Sequence, residues 1–175
     1  MAYNKAVLKA GIQDLMDNLP TYPGEDYPDA TTVANDVAQK WADAYATYAA
    51  DARSCQARPP TGITTAKATL KTALAASFVA GGPASSTASD MATAFTAFWL
   101  TPPITFLGGA TPGAVTAVGG TAALQAGLLT AWAANLASNA SNSDAAQSMA
   151  DLLDTFSKTV VAAHAAPSAC TAPLV

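Results

Sequence analysis

No charged side chain occurs between residues 91 and 143, so 53 consecutive residues carry no charge that would keep them solvated. The stretch begins with the aromatic residues Phe95, Phe98 and Trp99 and continues through Pro102-Pro103 into a segment rich in glycine, threonine and valine. A contiguous apolar surface of this size is rarely left in water. We therefore expect these residues to be buried within the chain, buried against other chains, or inserted in lipid.

The composition suits one helical domain that spans residues 1–175. A chain of 175 residues is long enough to bury a substantial core, and alanine, the best helix former, supplies much of its 51% apolar content. Charged residues make up only 11% of the chain, less than half the usual share. Because a solitary soluble protein keeps its surface charged, this low share favours a subunit that packs against other protein subunits.

The charge distribution excludes nucleic acid as an expected partner. The net charge is −4, and seven of the eight Lys and Arg residues are scattered between Lys5 and Lys71 without forming a basic stripe.

The first residues lack the apolar core of a signal peptide, so we expect no secretion by that route.

A membrane-associated helical protein is the alternative for the uncharged stretch. Residues 91–110 contain four threonines, two prolines and two glycines, and no Lys or Arg flanks them. A spanning helix needs about 20 mostly apolar residues with charged anchors, so no membrane contact is expected.

Apolar residues recur with the helical period in six segments, which predict helices over 4–19, 29–52, 64–80, 87–100, 121–137 and 144–164. A turn-rich linker at 21–29 ends in Asp29, the predicted N-cap of the second helix. Residues 104–120 are β-branched and glycine-rich, which indicates a short β-hairpin, and the tail after residue 164 is irregular. The expected core includes Trp41, Phe95, Phe98, Trp99, Trp132 and Phe156.

A repeat of 58 residues predicts an all-α fold of three helical hairpins, with units at 1–60, 61–120 and 121–175. The same apolar positions recur in the second helix of each unit: Val33-Ala34, Met91-Ala92 and Met149-Ala150, with Val37, Phe95 and Leu153 four residues after the first of each pair. The alternative is six amphipathic helices of unrelated origin. If the repeat holds, the segments that follow each second helix share one end of the molecule.

No group of residues indicates catalysis, a cofactor, a metal or a small-molecule substrate. His164, the only histidine, lies among alanines, and no GxSxG occurs, so it is predicted to be a helix-terminal residue without chemistry. The glycine-rich segments at 108–113 and 117–121 are not followed by the Lys-Ser/Thr of a phosphate loop. The chain is therefore expected not to be an enzyme, although an enzyme with an unrecognised site is a further alternative.

Cys55 and Cys170 are too few for a zinc site. Each follows the second helix of its unit, so a disulfide between them is geometrically conceivable. Two reduced thiols are favoured, because no export signal argues for an oxidising compartment.

Residues 101–120, together with two preceding aromatic residues, are predicted to form the main contact with another chain. Interfaces are depleted in charge and enriched in aromatic residues at their centre, as this segment is. The alternative is that the chain's own helices cover the segment. The predicted contact residues are Phe98, Trp99, Ile104, Phe106, Leu107, Val115 and Val118.

The sequence FWLTPPITF at 98–106, followed by PGAVTAV at 112–118 and an alanine-rich helix, resembles a pattern in small uncharacterised structural proteins of tailed bacteriophages. The resemblance covers about residues 90–135. It implies a virion component of the tail, baseplate or neck, assembled in the host cytoplasm, with no catalytic residues.

Overall fold

The computed structural model describes residues 3–19, 29–107, 112–165 and 169–175, and these form six helices and one antiparallel sheet. All six predicted helices are present, so the prediction of a mostly helical fold is confirmed. The predicted linker at 21–28, residues 108–111 of the predicted hairpin and residues 166–168 of the tail lie outside the described residues. The helices are α1 (Lys5–Asp17), α2 (Ala30–Ala49), α3 (Ile63–Ala80), α4 (Ala84–Leu100), α5 (Thr121–Ser138) and α6 (Asn142–Ser157).

Local signals fix several helix starts. The Asp29 carboxylate accepts a hydrogen bond of 2.8 Å from the Thr32 backbone N–H, which confirms Asp29 as the N-cap of α2. Gly62 and Gly120 precede α3 and α5 with φ of 83° and 74°, a left-handed conformation that glycine adopts at little cost. These residues turn the chain sharply from the sheet into each helix.

The helices form a closed ring in chain order, in which each packs against the next and α6 packs against α1. Side chains of α2 and α4 meet at its centre, where the Tyr45 ring lies 4.7 Å from Phe95 and 5.0 Å from Phe98, in edge-to-face geometry. Every residue of the expected core is buried except Trp132, which is partly buried and packs against the core from α5.

The sheet closes one end of the ring. Its five strands pair antiparallel in chain order and come from the three segments that follow α2, α4 and α6. The prediction that these segments share one end of the molecule is therefore confirmed. The strands are β1 (Pro60–Thr61), β2 (Thr105–Phe106), β3 (Gly113–Val118), β4 (Val160–His164) and β5 (Cys170–Pro173).

The sheet confirms one prediction and corrects two. The predicted hairpin at 104–120 is present as β2 and β3, with Thr105 opposite Ala114. The predicted helix over 144–164 is wrong at Val160–His164, which form β4, and the tail predicted as irregular forms β5 at Cys170–Pro173. The physical reason is that pairing with distant strands overrides local propensity, and alternate residues of β4 are buried, as a strand requires.

Residues 53–59 connect the two edges of the sheet. Arg53 and Val175 exchange two backbone hydrogen bonds, of 2.8 and 3.1 Å, beside β5. At the other edge the Leu107 N–H donates to the Pro59 carbonyl at 3.2 Å. The sheet thereby forms a cap whose inner side joins the helical core through Ile104, Phe106, Val115, Val160 and Leu174.

Candidate functional site

Most of the predicted contact residues lie inside this chain. Five of the seven are buried, namely Phe98, Trp99, Ile104, Phe106 and Val115, while Val118 is partly buried against the core and Leu107 is 58% exposed. The prediction that these five face a partner is wrong. Phe98 and Trp99 lie on the buried side of α4. Ile104, Phe106 and Val115 are covered because β2 and β3 are joined by β4 and β5, which were not predicted, and the completed sheet packs these three side chains onto the helices.

The apolar surface that remains exposed lies on α5 instead. This helix buries only Leu124 and Leu128 fully, and Leu136 on its other side is 85% exposed. The other exposed large apolar side chains of the described residues are 50–59% exposed. We define the α5 face as Ala122, Ala126, Leu129, Thr130, Ala133, Leu136 and Ala137, which are exposed except for the partly buried Leu129.

The α5 face carries no charge and runs along a helix about 27 Å long. Its small side chains would let the backbone of another protein approach closely. The sequence contained a signal for this surface, because the side of the predicted helix opposite Leu124 and Leu128 has no charged residue. The apolar and aromatic content of residues 101–120 drew the prediction to side chains that are mostly buried within the chain.

His164 lies on β4, so its prediction as a helix-terminal residue is wrong. Its side chain is 4% exposed, and its Nε2 lies 2.8 Å from Ser54 Oγ. Gly113 makes room for the ring, since a Cβ atom at that position would overlap it. The other ring nitrogen, Nδ1, has no hydrogen-bond partner among the residues that the structure describes. A serine hydroxyl beside an imidazole is the arrangement of a nucleophile and its base, but Ser54 is itself only 1% exposed and closed to a substrate.

Cys55 and Cys170 form a disulfide, with 6.4 Å between their Cα atoms. The prediction that favoured two reduced thiols is therefore wrong, and the pairing considered beside it is present. The structural reason is the hairpin of β4 and β5, which places Cys170 opposite His164 in the sheet, and thus beside the segment that holds Ser54 and Cys55.

A chain of hydrogen bonds crosses the helical core. Trp99 Nε1 donates to the Tyr45 hydroxyl at 2.9 Å, and Ser157 Oγ donates to the Leu153 carbonyl at 2.7 Å. Because the Ser157 proton is used in that bond, the Tyr45 hydroxyl donates to Ser157 Oγ, 2.7 Å away. Burial raises the pKa of Tyr45 well above its ordinary value, so this hydroxyl stays a donor at all physiological pH values. These three hydrogen bonds link α2, α4 and α6. Each of the three donor protons, on Trp99, Tyr45 and Ser157, is used in one of them.

A second buried hydrogen bond, between Tyr48 and Asp154, also joins α2 to α6. The Tyr48 hydroxyl donates to Asp154 Oδ1 at 2.8 Å, and the Lys158 ammonium lies 2.7 Å from Oδ2 of the same carboxylate. Burial, and then the hydrogen bond to Asp154, raise the pKa of Tyr48 far above its ordinary value. The carboxylate is thus satisfied on both oxygens, and the pair fixes α2 against α6.

The described residues offer no group of three His, Cys, Asp or Glu side chains placed to hold a metal ion. Within that same part of the chain, none of the helices has the length and hydropathy needed to cross a bilayer. Comparison with protein-family models, curated proteins and solved structures finds no match to this chain. Its function must therefore be argued from its own surface and chemistry.

Proposed function

We propose that this chain is a non-enzymatic structural subunit of a larger protein assembly and that it contacts its neighbour through the α5 face. The observation that supports the proposal best is the exposure of an uncharged helix side that carries Leu136. The centres of protein interfaces are depleted in charge, because burying an unpaired charge is costly. The α5 face can be covered without that cost.

The core supports the same function, because it does not depend on the α5 face. Leu124 and Leu128 anchor the helix from its inner side, and the ring is held at its centre by Tyr45 and its neighbours. A partner can therefore cover the outer side of α5 without any rearrangement of the fold. This suits a subunit that folds first and assembles afterwards.

We further propose that the assembly is the virion of a tailed bacteriophage, in its tail, baseplate or neck, and that the subunit joins it in the host cytoplasm. The support is the resemblance of residues 98–106 and 112–118 to structural proteins of such particles. The Cys55–Cys170 disulfide suits a particle that is later released into an oxidising medium, where such bonds persist.

The fold is proposed to derive from three copies of one helical hairpin, with a 58-residue repeat. Gly62 and Gly120 are 58 residues apart, and each opens a first helix with a positive φ and a ψ of 3°. Two sets of positions at the same spacing are buried in all three units. These sets are Leu8, Ala66 and Leu124, and Ile12, Leu70 and Leu128.

Two matched double variants test the proposed contact. Ala126→Glu with Ala133→Glu places two charges on the α5 face, and Ala68→Glu with Ala76→Glu places two on exposed alanines of α3. We expect each pair to cost less than about 1 kcal/mol of stability, since glutamate is a good helix former. The α5 variant should be lost from sedimented particles on immunoblots, whereas the α3 variant should incorporate like the unmodified chain.

Normal incorporation of the α5 variant would show that the contact lies elsewhere. Absence of the unmodified chain from the particles would contradict the role of a virion subunit. Equal loss of both double variants would mean that any added surface charge blocks assembly, and the α5 face would then have no special part in it.

A further inference from the structure

We propose that the Cys55–Cys170 disulfide is a redox-sensitive latch. Its reduction releases the C-terminal strand β5 from the cap and opens the buried His164–Ser54 pair to solvent, while the ring of helices stays folded. This device is independent of the proposed role in an assembly, because it concerns only how the capping sheet is closed.

Strand β5 has few other anchors. Among residues 169–175, Leu174 alone is buried, at 1% exposure, and Thr171 and Pro173 are exposed. The strand pairs with β4 along one edge, and Val175 bonds to the Arg53 backbone at the end of the chain. The disulfide thus holds Cys170, the first residue of the strand, and the buried side chain of Leu174 holds the residues that follow its other end. Apart from the disulfide, none of the described residues 169–173 has a buried side chain that holds the Cys170 end in place.

The two cysteines adjoin both members of the buried polar pair. Cys170 lies directly opposite His164 in the sheet register, and Cys55 follows Ser54 in sequence. Movement of the Cys170 end therefore uncovers the imidazole first. Of this pair, the imidazole has a polar atom that is still unused, since His164 Nδ1 makes no hydrogen bond within the described part of the chain.

The chemistry requires only a dithiol reductant. Both cysteines are partly exposed, so a thiolate can reach the bond. One thiolate of the reductant attacks one sulfur and forms a mixed disulfide, and its second thiol then displaces that sulfur. The reductant leaves as a disulfide, and Cys55 and Cys170 each gain one electron and one proton to become thiols.

The helices should survive this step. Leu174 is the only side chain of residues 169–175 in the core cluster, whereas the interior of the ring is formed by residues of α1 to α6. The hydrogen bonds that link Tyr45, Trp99 and Ser157 involve no atom of the tail. The latch therefore acts on one edge of the cap.

The only histidine of the chain reports directly on the opening, since diethyl pyrocarbonate modifies accessible imidazole and the product is followed by ultraviolet absorbance. The test compares oxidised protein, protein reduced with a dithiol and then alkylated, and the variant Cys55→Ser with Cys170→Ser. The rate of His164 modification should rise about tenfold or more in both opened forms, because the reactivity of a buried group follows its locally open population. Thr171→Ala, exposed on the same strand, keeps the disulfide and should react as slowly as the oxidised chain.

Circular dichroism and tryptophan fluorescence accompany each sample and should show that the helices and the environments of the three tryptophans are retained. Unchanged reactivity of His164 after reduction would overturn the proposal, because β5 would then be held without the disulfide. Loss of the helical signal on reduction would overturn it as well, since the bond would be a brace for the whole fold and not a local latch.

Discussion

Replacing Phe98 by alanine should lower the free energy of unfolding by about 3–5 kcal/mol, the usual cost of removing a fully buried aromatic ring. Phe98 is 0% exposed and lies edge-to-face against Tyr45 at 5.0 Å and against Trp99 at 5.2 Å. The cavity would open at the centre of the ring, where the surrounding aromatic residues have little room to collapse. Urea unfolding of both proteins, followed by circular dichroism, gives the difference.

Leu136→Ala is the matched control, because it also removes a large apolar side chain but from a position that is 85% exposed. Its effect should stay within about 0.5 kcal/mol, as for most surface substitutions. A cost below about 1 kcal/mol for Phe98→Ala would contradict the burial of this ring. It would instead favour the sequence-based interpretation that Phe98 lies at an interface.

Removing the disulfide with Cys55→Ser and Cys170→Ser should lower the free energy of unfolding by about 2–5 kcal/mol. The bond joins residues 115 positions apart, so it restricts most of the unfolded chain. The native helices should remain in buffer without denaturant, since the larger part of this effect is a gain of freedom in the unfolded state. Urea unfolding of the oxidised protein and of the double variant measures the loss.

A dithiol reductant supplies the control for this second result. It should shift the unfolding midpoint of the unmodified chain toward that of the double variant and leave the variant itself unchanged. Identical midpoints for the unmodified chain with and without reductant would contradict a stabilising disulfide.

The helices were predictable because their signals are local. Leu8, Ile12 and Leu15 recur on one side of α1, and Asp29 marks the start of α2 by a side-chain hydrogen bond that the sequence itself indicates. The shared end of the segments that follow α2, α4 and α6 was also predictable, because it follows from the 58-residue spacing of the helices.

Strands β4 and β5 were not predictable in the same way. The run from Val160 to His164 continues α6 with residues that suit either a helix or a strand, and only its pairing with β3 and β5 decides between them. The disulfide follows from the same pairing, because Cys170 approaches Cys55 only when β5 lies beside β4. A single sequence contains no local signal for such a register.

The uncharged stretch had two physical solutions that composition cannot separate. Ile104 and Phe106 would look the same in sequence whether a partner or the chain's own helices covered them, and the structure shows that the helices do. Leu136 is different, because the positions around it on α5 are uncharged where a solitary protein would place charges. The helical period was sufficient to identify that surface.

Amide hydrogen exchange of the isolated chain and of the assembled particle tests the central claim most directly. If α5 is the contact, its amides between Thr121 and Ser138 should exchange more slowly in the particle, while those of α3 keep the same rates in both states. Equal exchange of α5 in the two states, or protection confined to α3, would contradict the account.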